Sequence, residues 1–275
     1  MPNFTTSDGL SLFYTDEGEG LPLLCLAGLT RDHHDFDYLV PHLSDVRLIR
    51  LDYRGRGQSE WGPHETYTIP VEARDAVELL DHLGLEQAAI LGTSRGGLIA
   101  MMLAATAKPR ISGVALNDIG PEIADEGMEV IRGYLGRNPT WTSYAEAAEA
   151  RPGVMAGFED VPPERWDAEV RKHYREGPDG LSIRYDPLLR DAVLNSGAQP
   201  MPDLWPLFDA LKGLPLCALR GANSNLLSEA TFAEMQERRP DMIAATIPGR
   251  GHVPFLDEPE ALTALGRWLD MLRAE

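Results

Sequence analysis

"QAAILGTSRGGLIAMMLAAT", residues 87–106, decides the fold. It opens with a short apolar run, passes through Gly92-Thr93-Ser94-Arg95-Gly96, and continues as an apolar stretch that Pro109 stops. A short apolar run bounded by a turn signal reads as a strand buried on both faces, and the longer stretch after it as a buried helix. G-x-S-x-G is a weak pattern alone. At a strand–helix junction it has a physical purpose, because a sharp turn leaves the serine strained and exposed above the sheet. Glycines at 92 and 96 keep side chains out of that turn. The helix N-terminus then aims free N–H groups and a positive dipole end at the reaction centre. The plainer alternative is a Gly-Ser turn used as a helix cap.

On either side of this stretch, the first half of the chain alternates strand-like and helix-like segments. Residues 10–16, 21–28 and 46–52 read as strands, 69–84 as a helix closed by Gly84, and 111–118 as another strand. This alternation implies a mostly parallel, doubly wound α/β sheet with crossover helices. From Ile119 to about Leu214 no strand is expected. Helix-like stretches at 123–136, 143–150, 163–177 and 202–213 fill that span, punctuated by Pro and Gly. Strand patterns resume at 215–221 and 242–249, with helices at 228–239 and 257–274. The expected organisation is an α/β core at 1–120 and 201–275, with a helical cap at 121–200 inserted after the sixth strand. A cap over the C-terminal strand ends would cover the usual ligand crevice.

Composition excludes several classes. The 275 residues are 43% apolar, enough for a large core and too mixed for disorder. The 25 Lys and Arg against 43 Asp and Glu give a net charge of −18, which repels nucleic acid and anionic membranes. The longest apolar runs are too short to span a bilayer and the N-terminus resembles no secretion signal, so a cytoplasmic location is expected. Cys25 and Cys217 sit in strand-like runs and read as buried thiols of a reducing compartment.

A serine nucleophile needs a base, an orienting acid and donors for an oxyanion. The loop after residues 21–28 supplies one backbone N–H, from Leu29, and Arg95, following the serine, supplies the second. Of seven histidines, His252 is the best base, in the Gly-flanked loop between the last strand and last helix. His33 and His34 lack metal-ligand spacing and are read as lining the pocket or its rim; no metal or cofactor is expected. The acid should follow Ser94 and precede His252, and two strand ends qualify, Ser224-Asn225 and Asn117-Asp118. An Asn at 225 could accept a hydrogen bond from the base, but it could also flip and donate, and it carries no charge to stabilise an imidazolium.

Taken together, "AGLT" (27–30), "DYRGRGQS" (52–59), "GTSRGG" (92–97), "NDIGP" (117–121), "RGANSNLLS" (220–228) and "GRGHVPFLDEP" (249–259) resemble the α/β-hydrolase superfamily. The nearest branch is similar to cap-bearing bacterial enol-lactonases, meta-cleavage-product hydrolases and perhydrolase/esterases. The resemblance implies an acyl-enzyme mechanism with Ser94 as nucleophile and His252 as base. Ala27 stands where such proteins usually carry an oxyanion-loop His, a change of small effect because the donor is backbone. Asn225 stands where relatives typically carry Asp, while some members keep the acid after the earlier strand, where Asp118 falls. The preferred expectation is an Asp→Asn replacement at 225 that slows turnover, with Asp118 as the alternative acid. The expected function is hydrolysis of a small ester, thioester or lactone. C–C cleavage of a diketone or dienoate, and a pocket-binding protein without turnover, are the competing readings. Trp141, Tyr144, Trp166 and Trp205 are candidate cap aromatics, each as readily packing as pocket lining.

Overall fold

The computed structural model describes residues 2–196 and 202–274, and of Asn195 and Ser196 only the backbone. In chain order the first part of the core holds β1 (Asn3–Thr5), β2 (Ser11–Glu17), β3 (Leu21–Leu26), β4 (Val46–Leu51), α1 (Ile69–His82), β5 (Ala88–Thr93), α2 (Arg95–Thr106) and β6 (Ile111–Asn117). An inserted segment follows, with α3 (Asp125–Tyr134), α4 (Tyr144–Val154), α5 (Pro163–His173), β7 (Tyr174–Gly177), β8 (Gly180–Ile183) and α6 (Leu189–Ser196), and α7 (Trp205–Asp209) after it joins the main core with α2. The core closes with β9 (Leu216–Gly221), α8 (Glu229–Arg238), β10 (Ile243–Ile247) and α9 (Pro259–Ala274). Eight strands form one sheet in the order β1-β2-β4-β3-β5-β6-β9-β10. The pairs β1–β2 and β2–β4 are antiparallel and the rest parallel.

The central strand β5 is buried at every position. Alternation sends Ile90 to one face, with Ala76 and Leu79 of α1, Ile99 and Leu103 of α2, and Met235 of α8. Ala89 and Leu91 go to the other face, with Phe36 and with Leu265 and Trp268 of α9. Buried residues of α9 at 261, 264, 265, 268, 269 and 272 follow helical spacing, and the Trp268 indole donates to the Pro215 carbonyl at 3.1 Å. Cys25 and Cys217 are both free and buried, and burial pushes the Cys217 thiol up to about 12. Among the described residues no helix is long and apolar enough to cross a membrane.

The inserted segment is not purely helical, against expectation. The stretch read as one helix over 163–177 ends at His173, and β7 and β8 then form an antiparallel hairpin, Tyr174 opposite Ile183. Pro178 disfavours helical geometry at Gly177, and Gly180 takes a φ of 104° that closes the turn. The helix expected over 202–213 contracts to Trp205–Asp209, while α6 and the three-residue β1 were not anticipated. Ala147, Val170 and Leu181 make a small apolar cluster of the insertion's own. The expected boundary between cap and second core part, at 200–201, lies outside the described residues.

Candidate active site

Ser94 sits between β5 and α2 with φ 50° and ψ −112°, a region costly for a residue with a side chain. Its N–H donates to the Asn117 carbonyl at 3.0 Å, tying the turn to the end of β6. The two flanking glycines are required by close approach. A Cβ at Gly96 would lie 1.9 Å from the Leu26 carbonyl oxygen, and one at Gly92 would lie 2.5 Å from the backbone of Gly96 and Gly97.

His252, between β10 and α9, has its Nε2 3.0 Å from Ser94 Oγ and its Nδ1 2.7 Å from Asp118 Oδ2. A carboxylate only accepts, so Nδ1 carries the proton and Nε2 is left to accept from the serine hydroxyl. The His252 loop is fixed from both sides. The Asn117 amide donates to the Pro254 carbonyl at 3.2 Å, and Glu258 accepts from the N–H groups of Phe255 and Leu256 at 3.0 and 2.9 Å.

Of the two residues expected at the acid position, the structure places Asp118 and not Asn225 beside His252. Asp118, directly after β6, is fully buried and faces His252; Asn225 makes no bond to His252 among the described residues. The reason is where the loop after β9 goes. Its backbone is drawn to the insertion, with Ala124 N–H donating to the Leu226 carbonyl at 2.9 Å and Gly127 of α3 packed on Asn225 and Leu226. Asn225 therefore lines the cavity wall. Its neighbour Ser224 binds Asp118 instead, its hydroxyl donating to Oδ2 at 2.6 Å while the Gly221 N–H donates to Oδ1 at 2.7 Å. That contact of Ser224 had no sequence signal beyond its place in the pair with Asn225.

The backbone N–H groups of Leu29 and Arg95 find no acceptor among the described residues. Leu29 lines the cavity with Ser94 and His252, and Arg95 heads α2. A buried ion chain connects them. The Arg95 side chain turns away to Glu72 at 2.6 Å, Glu72 pairs with Arg56 at 2.9 Å, and Arg56 donates to the Leu29 carbonyl at 3.1 Å. Tyr53 and Tyr67 rings flank the Arg56 guanidinium. This part of the 52–59 motif is thus structural support for the loop that carries Leu29.

His33 and His34 do not line the cavity, which corrects that expectation. The His33 Nδ1 binds the buried Asp52 at 2.9 Å, and the His34 Nδ1 binds Asp37 at 2.9 Å. Asp32, His33 and His34 place ligand-type atoms within 4.8 Å of one another, yet Asp32 accepts from the His34 N–H and pairs with Arg184 at 3.3 Å. Of the cap aromatics, Trp141 lines the cavity. Trp166 packs against Phe158 and Phe255, Trp205 against Phe208, and the Tyr144 hydroxyl donates to the Tyr174 carbonyl.

The cavity over Ser94 has a volume of about 460 Å³, the size that holds a small organic ligand. Core loops form its floor, and the insertion supplies Ile131, Tyr134, Trp141, Met155 and Tyr185 among its walls. A hydroxyl on a strained turn, an imidazole oriented by a buried carboxylate, and two free N–H groups can together perform acyl transfer.

Comparison with known proteins agrees with this fold. Residues 22–160 match the family model for the alpha/beta hydrolase fold. The 3-hydroxybutyrate-oligomer hydrolase of Cupriavidus necator is 36% identical over 86% of this chain and 84% of its own length. The 2-(acetamidomethylene)succinate hydrolase of Mesorhizobium japonicum is 27% identical over 95% of this chain and 92% of its own. A crystal structure of an alpha/beta hydrolase from Novosphingobium aromaticivorans superposes with a TM-score of 0.91 at 38% identity, covering 98% of this chain and 97% of that one. The chain belongs to the α/β-hydrolase family.

Proposed function

We propose that the protein is a serine hydrolase of small carboxylic esters that works through an acyl-enzyme. The observation that carries this reading is the continuous hydrogen-bond chain Ser94–His252–Asp118 opening onto a cavity of about 460 Å³. Ser94 Oγ attacks the ester carbonyl while His252 Nε2 takes the hydroxyl proton. Asp118 holds the imidazole tautomer and stabilises the imidazolium. The Leu29 and Arg95 N–H groups receive the oxyanion. Collapse of the tetrahedral adduct breaks the C–O bond, and His252 returns the proton to the leaving alcohol. Water, deprotonated by His252, then releases the acid and restores Ser94. A thioester or a lactone follows the same steps; a lactone leaves its alcohol tethered to the acyl group.

The relative that hydrolyses 3-hydroxybutyrate oligomers supports ester chemistry over C–C cleavage, since units of a hydroxy acid join through ester bonds. The test is turnover of short-chain aryl esters by the wild-type chain and by Ser94→Ala, together with fluorophosphonate labelling. Labelling confined to Ser94 and loss of turnover in Ser94→Ala are expected. Full activity in Ser94→Ala overturns the reading.

A further inference from the structure

Arg151 on α4 lies in the wall of the cavity that Ser94 faces, only 7% exposed. Most other buried or half-buried arginines here have carboxylate partners; the buried Arg220 instead donates to the carbonyls of Leu227 and Ala222, at 2.9 and 3.3 Å. Arg54 pairs with Asp75 at 2.7 Å, Arg56 with Glu72 at 2.9 Å, and Arg31 with Asp35 and Glu169 at 3.2 and 3.3 Å. Arg151 has no carboxylate within ion-pair distance among the described residues. Its one polar partner is the Tyr174 hydroxyl at 3.5 Å, and its Nε is buried without a partner.

The surroundings do not neutralise it. Asp35 and Glu169 are matched by Arg31 and Lys172, the latter 3.8 Å from Glu169. His173, also in the cavity wall, is held neutral because burial, reinforced by Arg31 and Arg151, pushes its pKa well down. Its Nδ1 donates to the Glu169 carbonyl at 2.5 Å. Among the described residues the cavity lining holds two guanidiniums without an ion pair, the exposed Arg137 and the buried Arg151, and Arg151 is the one withdrawn from solvent. A guanidinium stays charged at any working pH and matches a carboxylate with two parallel N–H donors. A buried charge of this kind is kept paired in folded proteins, and here the missing partner has to come with the ligand.

We propose that Arg151 binds a free carboxylate on the substrate, so that the preferred substrates are short esters carrying a carboxylate away from the scissile bond. Monoesters of dicarboxylic acids and oligoesters of hydroxy acids are of this class. The inference rests on the ester-hydrolase reading of Ser94 and names the substrate class for that site. Apolar walls from Ile131, Val154, Met155 and Ile183 suit the aliphatic chain joining the two ends.

The test compares mono-4-nitrophenyl glutarate with 4-nitrophenyl pentanoate, esters of similar length that differ by one carboxylate. The ratio of their kcat/KM values cancels any general loss of folded enzyme. The wild-type chain should favour the glutarate ester. Arg151→Met should lower the ratio by about 10- to 100-fold, the loss of one charge-assisted contact, and Arg151→Lys should retain part of it. An equal ratio in wild type and Arg151→Met overturns the proposal. A second arm needs no turnover: glutarate should raise the Tm of Ser94→Ala but not of Ser94→Ala/Arg151→Met. Stabilisation dependent on Arg151, found together with a wild-type chain that cleaves neither ester, would sink the hydrolase reading and keep the anion site. Absence of that stabilisation sinks the anion site alone.

Discussion

Asp118 Oδ2 lies 2.7 Å from His252 Nδ1 and 2.6 Å from Ser224 Oγ, so one carboxylate oxygen serves both the base and the loop after β9. The Ser224 hydroxyl fixes the direction in which Asp118 presents that oxygen. Ser224→Ala should lower kcat by about 10-fold with little change in KM, the scale of losing one supporting hydrogen bond to an active group. Steady-state kinetics on a short aryl ester checks this, and a change confined to KM would contradict it.

Gly96→Ala should fail through packing. The added Cβ would sit 1.9 Å from the Leu26 carbonyl, and neither backbone can yield without moving β3 or the serine turn. Urea unfolding should show a loss of about 1–3 kcal/mol or more, accompanied by loss of activity.

Glu72 is fully buried between Arg56 and Arg95. Glu72→Ala leaves Arg56 inside the protein without its counter-charge, which should cost about 3–5 kcal/mol. Because Arg56 also holds the Leu29 carbonyl, the residual folded enzyme should turn over more slowly. A variant with wild-type stability would show that the ion chain carries no weight.

His173 gives stability a pH dependence of known sign. Its folded pKa lies well below the ordinary histidine value because burial disfavours the imidazolium, with Arg31 and Arg151 adding repulsion. The unfolded chain therefore binds a proton at this site first as pH falls below about 6.5, and stability drops at up to about 1.4 kcal/mol per pH unit until the folded group also titrates. Above that pH the contribution is fully present. His173→Gln should flatten the unfolding free energy between about pH 6.5 and 5 relative to wild type; an unchanged acid limb contradicts this assignment.

The sequence is most legible where function is encoded by local geometry. Ser94 could be placed because strand, turn and helix adjoin in one segment, and His252 because its loop falls between the last strand and the last helix. The acid was ambiguous for a physical reason. β6 and β9 are adjacent and parallel, with Asn117 opposite Leu219, so both strand ends open toward the same base. Which one reaches it depends on how the following loop packs, and the contact of Gly127 with Asn225 is non-local. The β7–β8 hairpin was hidden by helix-compatible residues ahead of Pro178, and Arg151 could not be known to lack a partner until the carboxylates around it were positioned.

Asp118 is proposed as the acid serving His252, with Asn225 outside that chain. Comparing kcat/KM of Asp118→Asn and Asn225→Asp on one aryl ester tests it most directly. Asp118→Asn should lose about 10⁴-fold, the scale known for removing such a carboxylate in a serine protease, while Asn225→Asp should stay within about threefold of wild type. A large gain in Asn225→Asp, with Asp118→Asn retaining most activity, would contradict the account.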